Sequence, residues 1–284
     1  MSADFPLDAW TAAQLARFEP ALAQVFAEAW PATFREACCY PLQTGGKRIR
    51  PLLCLAAAEA VRPDADVESA PLAAALALEL LHTYSLVHDD LPCMDDDDER
   101  RGRPTVHVVY GQGTAVLVGD ALLTEAFAVL ASLPAGLSGA LVRELAAAGG
   151  ARGMIAGQAV DIGMDGPIVT RDALERLHRA KTGALLRASV RMGALAVGAS
   201  PAELDALSTY GDAVGLAFQV QDDILDADED SGAEGPPSFV KLLGLDGASR
   251  LAREEAARAD DAVARLPAPL ALRALARLIV DRTV

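Results

Sequence analysis

Two acidic runs far apart in the chain carry side chains suited to holding a divalent cation: Asp89-Asp90-Leu91-Pro92-Cys93-Met94-Asp95 and Asp222-Asp223-Ile224-Leu225-Asp226. Hard cations take oxygen ligands, and Mg²⁺ in particular uses one or two carboxylates while keeping positions for substrate phosphates. Two such runs facing each other would clamp one diphosphate through several ions. Asp222 and Asp226 stand at i and i+4, where like charges on one helical face destabilise a helix by about 0.2–0.5 kcal/mol. A bound cation reverses that sign. A solvated acidic helix end explains either run alone, so the metal reading rests on both runs occurring together, each behind a long apolar stretch.

The elements that must position these carboxylates are helical. Apolar residues recur at i, i+3, i+4 and i+7 from Leu7 to the C-terminus. The spacing predicts helices at about 7–29 (interrupted by Pro20), 32–39, 46–60, 68–90, 114–132, 138–163, 170–199, 201–227, 246–264 and 268–282. Ser200-Pro201-Ala202-Glu203 reads as a cap with proline at the first helical position and glutamate at the third, and Thr170-Arg171-Asp172 opens another helix in similar fashion. Val106-His107-Val108-Val109-Tyr110 is the one strand-like run, and alone it reads as loop or as the start of a helix. The fold class is therefore all-α, one helical domain over 1–284. Its core is built from Ala, Leu and Val, since 52% of residues are hydrophobic and only 5% aromatic. The least helical segments, 91–105 and 228–238, each follow an acidic run, where lids and substrate contacts tend to lie.

A net charge of −15 argues against nucleic acid or an anionic membrane surface as the main partner. An anionic substrate would then need locally gathered cations. Arg100, Arg101 and Arg103 follow the first acidic run directly, and guanidinium groups grip phosphate oxygens in bidentate fashion, although a salt-bridged surface loop has the same composition. Gly45-Gly46-Lys47-Arg48-Ile49-Arg50 places paired glycines before a helix, with Lys47 and Arg50 three apart on one face, but lacks the spacing of a nucleotide P-loop. His82 lies two helical turns before Asp89 on the same face. Lys181-Thr182-Gly183 sets a lysine beside a hydroxyl and a glycine, and Gln158 and Asp161 recur at helical spacing, where polar groups on an apolar helix pair with each other or serve a site. Cys38, Cys39, Cys54 and Cys93 show no zinc-ligand spacing and read as reduced thiols. The start of the chain lacks the features of a signal peptide. Asp120 and Glu125 interrupt the apolar stretch from Ala115 to Leu133, so the expectation is no membrane span and a cytoplasmic location.

His82-Thr83-Tyr84-Ser85-Leu86-Val87-His88-Asp89-Asp90-Leu91-Pro92 through Arg103-Pro104-Thr105, with Phe218-Gln219-Val220-Gln221-Asp222-Asp223-Ile224-Leu225-Asp226, closely resembles the trans-polyprenyl diphosphate synthases, and within them the bacterial farnesyl diphosphate synthases. The likeness runs from about Gly45 to Asp226 and resumes at Leu242-Leu243-Gly244-Leu245. The resemblance implies a helical bundle around a deep central cavity, usually a homodimer, that joins isopentenyl diphosphate to an allylic diphosphate with Mg²⁺, three ions when substrate is bound. Carried over by position, Asp89, Asp90 and Asp95 hold the first magnesium group and Asp222, Asp223 and Asp226 the second. Arg100, Lys181, Thr182 and Gln219 fall to the allylic diphosphate; Gly46, Lys47, Arg50, His82 and Arg101 fall to isopentenyl diphosphate. Among these, the aspartates other than Asp226, together with Lys181, carry the catalytic role.

Product length follows from the same resemblance. Tyr84 lies five residues before Asp89, roughly 7.5 Å along a helix, and with Ser85 resembles the bulky cavity floor of short-product enzymes. Farnesyl diphosphate is the expected product, and Tyr84→Ala or Tyr84→Met is expected to lengthen it. One departure stands out. After Asp226 the chain reads Ala227-Asp228-Glu229-Asp230-Ser231-Gly232-Ala233-Glu234-Gly235-Pro236-Pro237-Ser238, shorter than the family's loop and without its two lysines. The alternatives this leaves open are a geranylgeranyl diphosphate synthase and a non-catalytic paralogue that binds prenyl diphosphates.

Overall fold

The computed structural model describes residues 5–64, 69–228 and 237–281. Its helices are α1 (Leu7–Gln24), α2 (Ala32–Leu42), α3 (Ile49–Val61), α4 (Ala70–Asp89), α5 (Val106–Tyr110), α6 (Gln112–Ala131), α7 (Ala135–Gly149), α8 (Met154–Asp161), α9 (Arg171–His178), α10 (Ala184–Ala196), α11 (Pro201–Leu225), α12 (Phe239–Val263) and α13 (Leu270–Asp281). The all-α expectation holds. Helix α4 packs along α6 and α3, α10 packs against α3, α11 and α7, and α11 lies against α12. Alanine makes this close layering possible: Ala56, Ala57, Ala74, Ala77 and Ala213 are all sealed from solvent. Larger residues such as Leu53, Leu78, Leu80 and Tyr210 fill the space between them.

The expected boundaries hold where a local cap fixes them. Ser200 and Glu203 form a full capping box at the start of α11, and Thr170 accepts a hydrogen bond from the backbone of Ala173. They fail where backbone geometry changes without a periodicity change. The single helix expected over 138–163 is two, because Gly150 adopts extended backbone (φ −85°, ψ −159°) between α7 and α8. The helix expected over 170–199 contains a π-helical turn, Arg179–Gly183, between α9 and α10. Helix α12 begins at Phe239, earlier than expected, and breaks at Gly244 (φ 72°). The strand-like run at 106–110 is a helical turn.

The one β-ladder among the described residues is a two-residue hairpin pairing Glu99 with Pro104 and Arg100 with Arg103. Its corner is Arg101-Gly102, with φ 56° and 73°, the pair of positive angles a tight type I′ turn requires.

The expectation that no segment is apolar enough to span a membrane needs correction on composition. Both α4 and α6 are 20 residues long, with mean hydropathy 1.4 and 1.7 over their best windows. The two acids in α6 are too few to lower its average below that threshold. In α4, 72% of the window is buried within the bundle; in α6 only 33% is.

Candidate active site

An apolar cavity of about 640 Å³ opens between α4, α6, α8 and the π turn. Its wall includes Arg50, His82, Tyr84, Ser85, Asp89, Lys181 and Thr182, so seven sequence-expected site residues meet on one surface. Leu91, Met94, Leu123, Met154 and Ile155 supply the greasy lining. Along α4, Tyr84 lies five residues before Asp89 and His82 seven, so both acidic and basic groups of the site border the same cavity as the tyrosine.

The π turn places Lys181 and Thr182. One extra residue in a helical turn shifts side chains off the regular register, and such bulges concentrate at functional sites. The turn is pressed from one side by α8, where Gly157 leaves out a Cβ that would stand 2.6 Å from Lys181 Cα. On the other side a Cβ on Gly215 of α11 would stand 2.8 Å from Gly183 Cα. Lys181 pairs with Asp161, so the polar residues of α8 do not bond each other as a pair; the side-chain N and O of Gln158 are buried with no partner. Thr182 donates to Gln219 Oε1 at 2.8 Å, and Gln219 Nε2 donates to Asp222 at 3.0 Å. His178 also faces Gln219 Oε1, at 3.0 Å; since that oxygen only accepts, Nδ1 of His178 carries the proton. This chain ties the π turn to the second acidic run, and His178 is the member that sequence reasoning missed.

The first acidic run divides its duties. Burial pushes the Asp89 carboxyl up to about 6, with Asp95 raising it further and Lys181 opposing. Asp90 turns away from the cavity: it is 4% exposed and accepts from Arg100 Nε at 2.6 Å. Two residues expected on different ligands are therefore bonded to each other. In the second run Asp223 accepts the first backbone N–H of α12, from Phe239, at 2.6 Å. Asp226 is exposed in the helical turn after α11.

The basic residues form an anion cradle. Arg50 is held down to about 10, chiefly by burial, with Arg101 acting in the same direction and Glu79 and Asp222 opposing. Its Nε is buried with no hydrogen-bond partner. His82 is driven well below its ordinary value by burial and by Arg50 and Arg101, and its Nδ1 is likewise buried and unpartnered. At the hairpin corner Arg101 donates to the Gly45 carbonyl and lies where a Cβ on Gly46 would stand. Lys47 does not share a helical face with Arg50, because Arg48 adopts φ 48° and α3 begins only at Ile49. That kink turns Arg48 inward onto Glu79 at 2.7 Å, Glu19 at 2.8 Å and the Leu42 carbonyl at 2.6 Å. Arg48 is a brace for the cradle and not one of its binding groups.

The carboxylates fit magnesium delivered with a diphosphate better than a standing metal centre. Among the described residues no three metal-binding side chains converge on one point. Mg²⁺ is held in this way, by one or two carboxylates with phosphate oxygens completing the shell. Asp89, Asp90 and Asp95 of the first run and Asp222, Asp223 and Asp226 of the second would supply the protein oxygens.

A helical bundle with an apolar cavity, carboxylates at its mouth and a cationic cradle beside them describes an enzyme that handles the diphosphate of a hydrocarbon chain. The chain belongs to the polyprenyl synthetase family, whose model matches residues 31–239. It is a prenyltransferase with prenyl diphosphate synthase activity. Over 235 residues it is 46% identical to the farnesyl diphosphate synthase of Escherichia coli, covering 77% of this chain and 78% of that one. It is 44% identical over 239 residues to the chloroplastic geranylgeranyl pyrophosphate synthase of Capsicum annuum, covering 79% of this chain and 64% of that one. The crystal structure of a putative farnesyl-diphosphate synthase from Marinomonas sp. MED121 superposes with a TM-score of 0.87 at 40% identity, covering 98% of this chain and all of that one.

Proposed function

We propose that this chain condenses isopentenyl diphosphate head to tail with dimethylallyl and then geranyl diphosphate, with Mg²⁺, and releases farnesyl diphosphate. The observation that carries this reading is the pair of buried, unpartnered nitrogens on Arg50 and His82 beside the apolar cavity. A buried polar group without a partner costs about 1–3 kcal/mol, and a diphosphate oxygen would satisfy such a donor. Arg50, Arg101 and His82, with Lys47 and the Gly46 backbone, would hold the diphosphate of the nucleophilic alkene.

The allylic partner would sit across the cavity mouth. Lys181 would leave Asp161 to meet its diphosphate, while Arg100 approaches from the hairpin and Gln219 orients Thr182. Three magnesium ions bound by the two acidic runs would neutralise charge on the departing diphosphate. No covalent nucleophile is required, because the alkene attacks the allylic carbon as the carbon–oxygen bond breaks. The departing diphosphate then takes the final proton. Closing out water matters, since water would capture the allylic cation first. Leu91, Met94 and Met154 surround that space with apolar groups.

Tyr84 and Ser85 set the floor in this reading. The geranylgeranyl alternative keeps support from relatives that carry that name at 43–47% identity. A second copy of the chain would cover α6, which leaves Val116 and Leu117 41% and 57% exposed, next to half-exposed Val108 and Val109 on α5. The functional form would then be a cytoplasmic homodimer of single-domain subunits.

The test supplies isopentenyl diphosphate with dimethylallyl or geranyl diphosphate and Mg²⁺, with products dephosphorylated and identified by mass spectrometry. Farnesol that disappears when EDTA is added supports the reading. Geranylgeraniol as the sole product moves the floor, and magnesium-dependent substrate binding without turnover replaces synthesis by a binding role.

A further inference from the structure

We infer that His88 is the positioning residue that holds the Tyr84 ring across the cavity, and so sets product length through Tyr84. The inference rests on Tyr84 being the floor. The two residues stand one helical turn apart on α4, and both line the cavity. The His88 ring meets the Tyr84 ring edge-on, with centroids 5.6 Å apart and planes at 88°. An imidazole on a solvated helix could swing away from such a contact. Here it cannot, because Nε2 lies 3.1 Å from the backbone carbonyl of Val116 on α6. A carbonyl only accepts, so Nε2 carries the proton and the tautomer is fixed.

The anchor depends on α6 coming unusually near. His88 occupies the space where a Cβ on Gly119 would stand, so any larger residue there would collide with the imidazole. Gly119 itself is buried in the middle of a twenty-residue helix, where glycine is unfavourable for helix formation. Its presence is explained by the seat it provides. Tyr84 is only 6% exposed although it borders a cavity of about 640 Å³, so the ring is packed on nearly every side and shows the cavity only a small part of its surface. Removing His88 would let the ring tilt into the vacated volume and deepen the cavity beneath the allylic end.

The mechanism differs from that of a residue that blocks the chain by its own bulk. His88 acts through Tyr84, so its effect must vanish when Tyr84 is already gone. The experiment compares wild type, His88→Ala, His88→Gln, Tyr84→Ala and the His88→Ala/Tyr84→Ala double variant. One readout is the ratio of twenty-carbon to fifteen-carbon product. The other, independent of turnover, is the calorimetric affinity for the non-reacting thiolo-diphosphate analogues of the fifteen- and twenty-carbon chains. His88→Ala should relax discrimination against the longer chain by about tenfold or more, the scale on which a hydrophobic pocket rejects an oversized group. His88→Gln, which can still donate to the Val116 carbonyl but offers no ring, should relax it nearly as far. The double variant should match Tyr84→Ala alone in both readouts.

Unchanged discrimination in a folded His88→Ala protein, or an effect that adds in full to that of Tyr84→Ala, overturns the inference. A wild type that prefers the twenty-carbon analogue, or a Tyr84→Ala variant with unaltered preference, instead removes Tyr84 as the floor, and the two failures are thereby told apart.

Discussion

Arg50 should cost the free protein stability and repay it only when an anion arrives. Its folded-state proton affinity is depressed to about 10, mainly because burial penalises the charged form. For a base with a lowered folded value the sign runs opposite to that of an ordinary paired lysine. The penalty is fully present at every pH below about 10 and fades only as the folded-state guanidinium loses its proton above it. At about 1.4 kcal/mol per tenfold change in proton affinity, the depression corresponds to a penalty of about 3–4 kcal/mol at neutral pH. Arg50→Met keeps most of the volume and removes the charge. At roughly 2–4 °C per kcal/mol for a chain of this size, the ligand-free variant should melt about 6–16 °C higher than wild type. Its diphosphate contact, worth about 1.5–3 kcal/mol as a charged hydrogen bond, would be lost. Differential scanning calorimetry at pH 7, with and without inorganic pyrophosphate and Mg²⁺, reads both effects. Wild type should gain from the ligand far more than the variant does. A variant that melts below wild type without ligand would refute the reasoning, because Arg50 would then be contributing packing or pairing that outweighs its burial.

Two further perturbations test the scaffold. Gly157→Ala puts a methyl into the backbone of Lys181, and overpacking of that kind costs about 1–3 kcal/mol; steady-state kinetics should show a raised KM for the allylic substrate with little change for isopentenyl diphosphate. Asp260 is held below the ordinary carboxylate value by the Arg273 hydrogen bond first and by Arg277 as well, so it contributes stability above its unfolded value. That contribution fades as pH falls below about 4, toward the folded value. Asp260→Asn should therefore unfold more easily in urea at pH 7, and the gap to wild type should narrow as the pH falls below about 4.

Much of the site could be read from the chain because its chemistry is local. Asp89, Tyr84 and His82 share one helix, and α4 delivers all three to the same cavity at the expected spacing. Ser200 and Thr170 announced their helices for the same reason, since a cap spans three residues. Long-range pairings left no such trace. Arg48 and Glu79 are 31 residues apart, and nothing in either neighbourhood marks them as a buried pair. His178 reaches Gln219 across 41 residues, and its helix reads as an ordinary amphipathic surface segment. The π turn is equally silent, because apolar periodicity continues on both sides while one register step is absorbed at 179–183. Arg101-Gly102 did carry a readable signal, a glycine after a polar residue in a short loop, but two-residue strands are too brief to show alternation. The shortened segment expected after Asp226 lies mostly outside the described residues, from 229 to 236.

Asp223 closes a loop. By bonding the Phe239 amide it joins the end of α11 to the start of α12. Loop-closure entropy grows slowly, by about 0.6 kcal/mol for each doubling of length. Insertions and deletions between the two anchor points are therefore nearly neutral for the helices on either side. Evolution can trim or extend this stretch as a separate part while Asp222 and Asp223 keep their places on α11.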